Sequence, residues 1–89
     1  MYIERSIIGF ITDDLLMGQP PEPVEPATNL LTTGLVDSLG IMRVILFIEE
    51  TFGASVPPED ILIEHFLTVE TMTTYLTEKH NVVNADPVA

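Results

Sequence analysis

Ser38 is the side chain whose type and neighbours most clearly permit chemistry. It stands in Val36-Asp37-Ser38-Leu39-Gly40, just where a loop gives way to a run of apolar residues at helical spacing. A seryl hydroxyl so placed could be an activated nucleophile, a helix cap or the acceptor of a covalent group. The first needs a base and a strained turn. A nucleophile elbow requires glycine two residues before the serine, where this chain has Val36, and it follows a strand that no alternating pattern here supplies. The two histidines, His65 and His80, fall in helical or loop segments with no reason to approach Ser38. Hydrolysis is therefore set aside. Asp and Ser are the residue types that cap a helix, because their short side-chain oxygens accept from the free N–H groups of the first turn. A phosphate on Ser38 would lie where those N–H groups and the helix dipole favour negative charge.

Metal chemistry finds no support in the spacing. The acids do not fall into the alternating oxygen ligands, central glycine and closing glutamate of an EF-hand loop. Glu64 with His65, and Glu78 with His80, read as solvated surface groups, and no metal site is expected. There is no cysteine, so thiol chemistry would have to come from something attached. Fourteen acids stand against Arg5, Arg43 and Lys79, for a net charge of −11, which excludes nucleic acid as a partner and favours basic protein surfaces. The opening Met-Tyr-Ile-Glu-Arg-Ser lacks a basic leader, and no apolar run reaches membrane-spanning length, so a cytoplasmic chain without a membrane partner is expected.

The elements that must position Ser38 follow from periodicity and punctuation. Eighty-nine residues allow one domain, expected over 1–80, with 81–89 as a flexible tail. Ile3, Ile7, Ile8, Phe10, Ile11, Leu15 and Leu16 predict an amphipathic helix from Tyr2 to about Leu16, ended by Gly18 and Pro20. A long connection from Gly18 to Asp37 follows. Its Pro20–Pro26 part is expected to be extended and mobile, with Leu30, Leu31, Leu35 and Val36 as pins. A second helix is predicted from Ser38 to Phe52, stopped at Gly53, with Met42, Ile45, Ile48 and Phe52 as its core stripe. Pro58 opens a short helix to about Ile63 or Glu64, and Thr68 caps a last helix from Val69 to about His80, without a capping box because Thr71 holds the third position. The fold class expected is all-α: a four-helix bundle of three longer helices and one short one, with a long loop between the first and second.

Leu31-Thr32-Thr33-Gly34-Leu35-Val36-Asp37-Ser38-Leu39, followed by a helix ending Glu49-Glu50-Thr51-Phe52-Gly53, resembles the acyl carrier protein family, peptidyl carrier domains included. The resemblance covers nearly the whole chain and is most specific at Asp37-Ser38-Leu39. It implies that Ser38 is esterified by 4′-phosphopantetheine, donated by CoA through a phosphopantetheinyl transferase and Mg²⁺, and that Asp37 and Leu39 help that transferase recognise the site. It further implies a non-catalytic, monomeric carrier. An adenylating or other acyl-loading enzyme would charge it, and synthase, dehydrogenase or thioesterase enzymes would receive its acyl or aminoacyl thioester.

The second helix has more apolar residues than one core stripe needs, which predicts a docking face of Leu39, Leu46 and Phe47 with Arg43, Glu49 and Glu50 setting charge selectivity. Carriers of fatty-acid synthesis resemble one another in bearing an acid after Asp-Ser-Leu and a densely acidic second helix. Here Gly40 and Arg43 depart from that pattern. The chain thus looks more like the freestanding carriers of polyketide or nonribosomal peptide pathways, with a housekeeping fatty-acid carrier as the alternative and a helical adaptor, using Ser38 only as a cap, as the rival of another kind.

Overall fold

The computed structural model describes residues 2–84, so the last five residues of the expected tail lie outside the described part. Four α-helices, α1 (Tyr2–Phe10), α2 (Ser38–Phe52), α3 (Ile63–Phe66) and α4 (Val69–Lys79), pack as an all-helical bundle, with no strand among the described residues. The predicted first helix is present but changes pitch: α1 passes into a π-helical turn over Ile11–Leu15. Gly18 and the exposed Met17 then adopt left-handed backbone angles (φ +73° and +55°) that reverse the chain. Ile3, Ile7 and Ile11 turn one fully buried face to α2 and α4. Phe10 stacks on Phe47 with centroids 4.5 Å apart, and Tyr2 meets Phe52 edge-on at 5.8 Å, so aromatic pairs fasten α1 along α2.

The core stripe of α2 is shifted from the one expected. Ile41, Val44, Ile45 and Ile48 are buried, whereas Met42 faces outward and Phe52 is half-buried. An apolar helix offers several candidate stripes at three-and-four spacing, and tertiary packing selects among them. Gly53 ends α2 in the left-handed conformation (φ +70°), its N–H donating to the Glu49 carbonyl, as its position predicted.

The first connection is better fastened than its prolines suggested. Leu30 and Val36 are buried as pins, and Leu31 and Leu35 pack against the core. Val24, inside the stretch expected to be mobile, is also buried, and the Pro26 carbonyl accepts from the Glu70 N–H at the start of α4. The Leu30 N–H donates to the Leu67 carbonyl, joining the loop to the α3–α4 corner.

The second connection differs from the single short helix predicted there. Pro58–Asp60 form one 3₁₀ turn and α3 begins only at Ile63. Thr68 caps α4, and a capping box is present after all, because the Thr71 hydroxyl bonds back to the Thr68 N–H, as the carboxyl or amide of Glu or Gln would. The described start of the tail is tied down. Asn84 accepts from the Ile3 N–H and donates to Glu4, and Val82 packs on the core.

Tyr75 of α4 is buried, and its hydroxyl donates to Asp60 (2.7 Å) while contacting His80 Nε2 (2.7 Å). Burial, then the Asp60 hydrogen bond and the negative charges of Asp60, Glu59 and Glu49, push its phenol far above the ordinary range. The neutral form is thus favoured in the folded chain, and the stability it contributes is complete below the unfolded phenol pKa and lost as pH rises above it. Urea titrations above about pH 10 are expected to lose up to about 1.4 kcal/mol of stability per pH unit relative to Tyr75→Phe, whose curve lacks that slope. Parallel curves for the two proteins would contradict this assignment.

Candidate functional site

Two loops and the start of α2 converge on Ser38. Asp37 is the N-cap: its extended backbone turns the chain, and its carboxylate accepts from the Gly40 N–H at 2.8 Å. Ser38, the first helical residue, is exposed, as are Asp37 and Leu39 on either side. The hydroxyl is open to solvent at the positive end of a 15-residue helix.

The start of α2 is held by a close approach that admits no side chain. A Cβ on Gly40 would lie 2.7 Å from Val36 Cγ1, and 3.6 Å from Leu15 Cδ1 at the end of the π-helical turn. Val36 is buried and cannot yield freely. Gly40, which departs from the acid expected of fatty-acid carriers, therefore has a packing reason in this chain.

Beside Ser38 lies an open groove of about 510 Å³, bounded by Leu31, Gly34 and Val36 of the first loop, Ser38, Ile41 and Met42 of α2, and Ile61, Leu62, Ile63 and Phe66 across from them. The wall residues Leu62 and Ile63 went unremarked in the sequence because they sit among prolines and acids without period. Leu39, Met42, Leu46 and Ile63 are each more than half exposed (77, 51, 57 and 69 %). Residues 39, 42 and 46 recur at helical spacing, so they share a stripe on the solvent side of α2.

Two residues expected on the docking face are engaged elsewhere. Phe47 is half-buried in its stack with Phe10, and the half-buried Glu49 accepts from the Val56 N–H at 2.9 Å, anchoring the second connection to α2. Arg43 and Glu50 are exposed. His65 and His80, expected to be solvated, are half-buried against Tyr75, with ring centroids 4.7 and 4.9 Å away, and neither belongs to the set lining the groove beside Ser38. Among the described residues no group of three or more His, Cys, Asp or Glu is arranged to hold a metal ion, and no helix is long and apolar enough to cross a membrane.

An exposed hydroxyl, a cap that leaves the serine itself unobstructed and a helix N-terminus together suit a phosphodiester at Ser38. Comparison with known proteins agrees with that chemistry. The family model for the phosphopantetheine attachment site matches residues 15–76. A chain in a crystal structure described as that of an FAD-dependent dehydrogenase is 32% identical, with a TM-score of 0.72; the match covers 80% of this chain and 99% of that one.

The junction generates a paired prediction. Glycine to alanine inside a helix ordinarily adds about 0.5–1 kcal/mol of stability, and Gly9→Ala, with nothing within 4 Å of the new methyl, is expected to do so. Gly40→Ala is expected instead to cost about 1–3 kcal/mol, since the methyl must displace buried Val36. Urea denaturation of both variants checks this, and stabilisation by Gly40→Ala would contradict it.

Proposed function

Because this chain belongs to the phosphopantetheine-attachment family of carrier proteins, and is esterified by 4′-phosphopantetheine as its members are, we propose that Ser38 is the attached residue and that the cargo is an acyl or aminoacyl group of a polyketide or nonribosomal peptide pathway. The observation that carries this reading is the exposed Ser38 hydroxyl at the capped start of α2. The arm, when attached, supplies a thiol that holds the cargo as a thioester. The chain's own residues do the rest: Asp37 fixes the helix start, Gly40 and Val36 hold it against the first loop, and the surrounding surface meets the enzymes.

That surface is proposed as Leu39, Met42 and Leu46 with Leu62 and Ile63, edged by Arg43 and Glu50. It differs from the face read from sequence in lacking Phe47 and Glu49 and in gaining Met42, Leu62 and Ile63. From Ser38 to Ile48 the only charged residue is Arg43, although the whole chain carries −11. An apolar patch with so little charge favours brief contacts governed by shape, and it supports a specialised pathway over a fatty-acid carrier with an acidic docking helix. A phosphopantetheinyl transferase and an adenylating or acyl-loading enzyme are the first partners proposed. A flavin-dependent dehydrogenase is a downstream candidate. The 32%-identical chain is about 70 residues long, since four-fifths of these 89 residues span nearly all of it, which is the size of a carrier. Use of CoA as donor is consistent with action in the cytoplasm.

Incubation with CoA, Mg²⁺ and a promiscuous transferase, read by intact mass, is expected to add one phosphopantetheine to the wild type and none to Ser38→Ala. An unmodified wild type would overturn the reading. For the docking surface, Leu46→Glu is expected to keep the wild-type melting temperature while slowing modification or loading severalfold. Phe47→Glu, placed in the Phe10 stack, should lose about 2 kcal/mol or more of stability. Unfolding by Leu46→Glu would remove that residue from the docking surface.

A further inference from the structure

The groove beside Ser38 has one wall with little to hold it. Ile61 and Leu62 join a three-residue 3₁₀ turn to the four-residue α3, which Ile63 opens, and both elements are too short to persist on their own hydrogen bonds. Ile61 packs against the core, but Leu62 and Ile63 are exposed (44 and 69 %), so burial holds the wall at one residue only. The wall must be positioned by its ends. Phe66, fully buried, secures the far end, and at the near end the residue immediately before the wall, Asp60, accepts the Tyr75 hydroxyl proton from α4.

Hydrogen-bond bookkeeping gives this contact a direction. An ionised carboxylate only accepts, so the single phenolic proton goes to Asp60, and the phenol oxygen must then accept from His80, whose Nε2 carries a hydrogen. The result is a chain of donors, His80 to Tyr75 to Asp60, running from the end of α4 to the foot of the groove wall. Only its middle member is buried; Asp60 and His80 are half-exposed. Water can therefore satisfy both if the phenol is removed, and the consequence should be local.

We propose that Tyr75 is a positioning residue for the Ser38 site, with His80 and Asp60 as its hydrogen-bond partners, setting the place of the Ile61–Ile63 wall opposite Ser38. Neither histidine nor tyrosine lines the groove; the Tyr75 ring packs on Phe66 at its far end, and the hydroxyl acts on the wall through Asp60. The effect on Ser38 rests on the carrier reading above, whereas the effect on the wall does not.

The test uses the full chain, with residue-by-residue amide exchange in the wild type, Tyr75→Phe, Asp60→Ala and Asp60→Asn. Tyr75→Phe keeps the ring against His65 and Phe66 and removes only the hydroxyl. The amides of Asp60, Ile61 and Leu62, which hold the turn through Pro57, Pro58 and Asp60 carbonyls, are expected to exchange about tenfold faster in Tyr75→Phe and Asp60→Ala. Those of Val44, Ile45 and Ile48 should change less than about twofold. Asp60→Asn retains an accepting oxygen and should restore most of the protection, and the double variant Tyr75→Phe/Asp60→Ala should be no worse than either single one. In the transferase reaction, Tyr75→Phe should raise the KM for the carrier severalfold with kcat nearly unchanged. Unchanged exchange at 60–62, uniform acceleration through α2, additive single variants, or an unaltered KM would each overturn the proposal. Failure of the wild type to be modified at all would overturn the carrier reading and leave the exchange result to decide the positioning of the wall.

Discussion

The approach of Val36 to the α-carbon of Gly40 is the contact on which the arrangement around Ser38 depends. At 2.7 Å from where a Cβ would stand, the valine methyl occupies space that any other residue type would claim. The loop can thereby lie directly on the first turn of α2, with Asp37 between them turning the chain and closing onto the Gly40 N–H. Leu15, the last residue of the π-helical turn that follows α1, reaches the same point. Three separate segments thus meet behind the serine. The serine is left in front of them, exposed on a backbone it does not itself have to hold.

Much of this was legible in the sequence, for identifiable reasons. The boundaries of α2 could be read because Asp37 and Gly53 are residue types with a strong mechanistic preference for helix ends, and both serve as expected. Ser38 could be singled out because its neighbours make a cap. The buried face of α2 could not, since Ile41, Met42, Val44, Ile45, Leu46, Phe47 and Ile48 allow more than one stripe and only tertiary packing, that against α1 included, decides between them. Nor could the burial of Val24 be read, because one valine among four prolines has no period to betray it. Thr71 completing a capping box was missed because a hydroxyl there does what glutamate or glutamine usually does.

Charge gives a related lesson. A net charge of −11 suggests basic partners for the molecule as a whole, yet Asp37 is the one acid in the stretch from Gly34 to Ile48 around Ser38. Glu49, which looks like a surface acid in a helical wheel, is drawn inward by the Val56 N–H. Beyond the capping Asp37, the exposed stripe that runs from Ser38 along α2 is apolar, with Arg43 at its edge. Specificity for a partner can then come from the shape of Leu39, Met42 and Leu46, while the distributed acidity serves solubility and long-range orientation. The inner face of α2 carries the core, and its outer stripe of Leu39, Met42 and Leu46 is left exposed.

Ser38 thus stands on a preformed junction of Val36, Asp37 and Gly40 rather than on a loop that orders on contact. Backbone ¹⁵N relaxation on the unmodified protein measures this directly. Order parameters for Asp37, Ser38, Leu39 and Gly40 are expected at about 0.85, equal to those of the interior of α2. Values below about 0.6 at Ser38 and Leu39 with a rigid helix beyond them would contradict it.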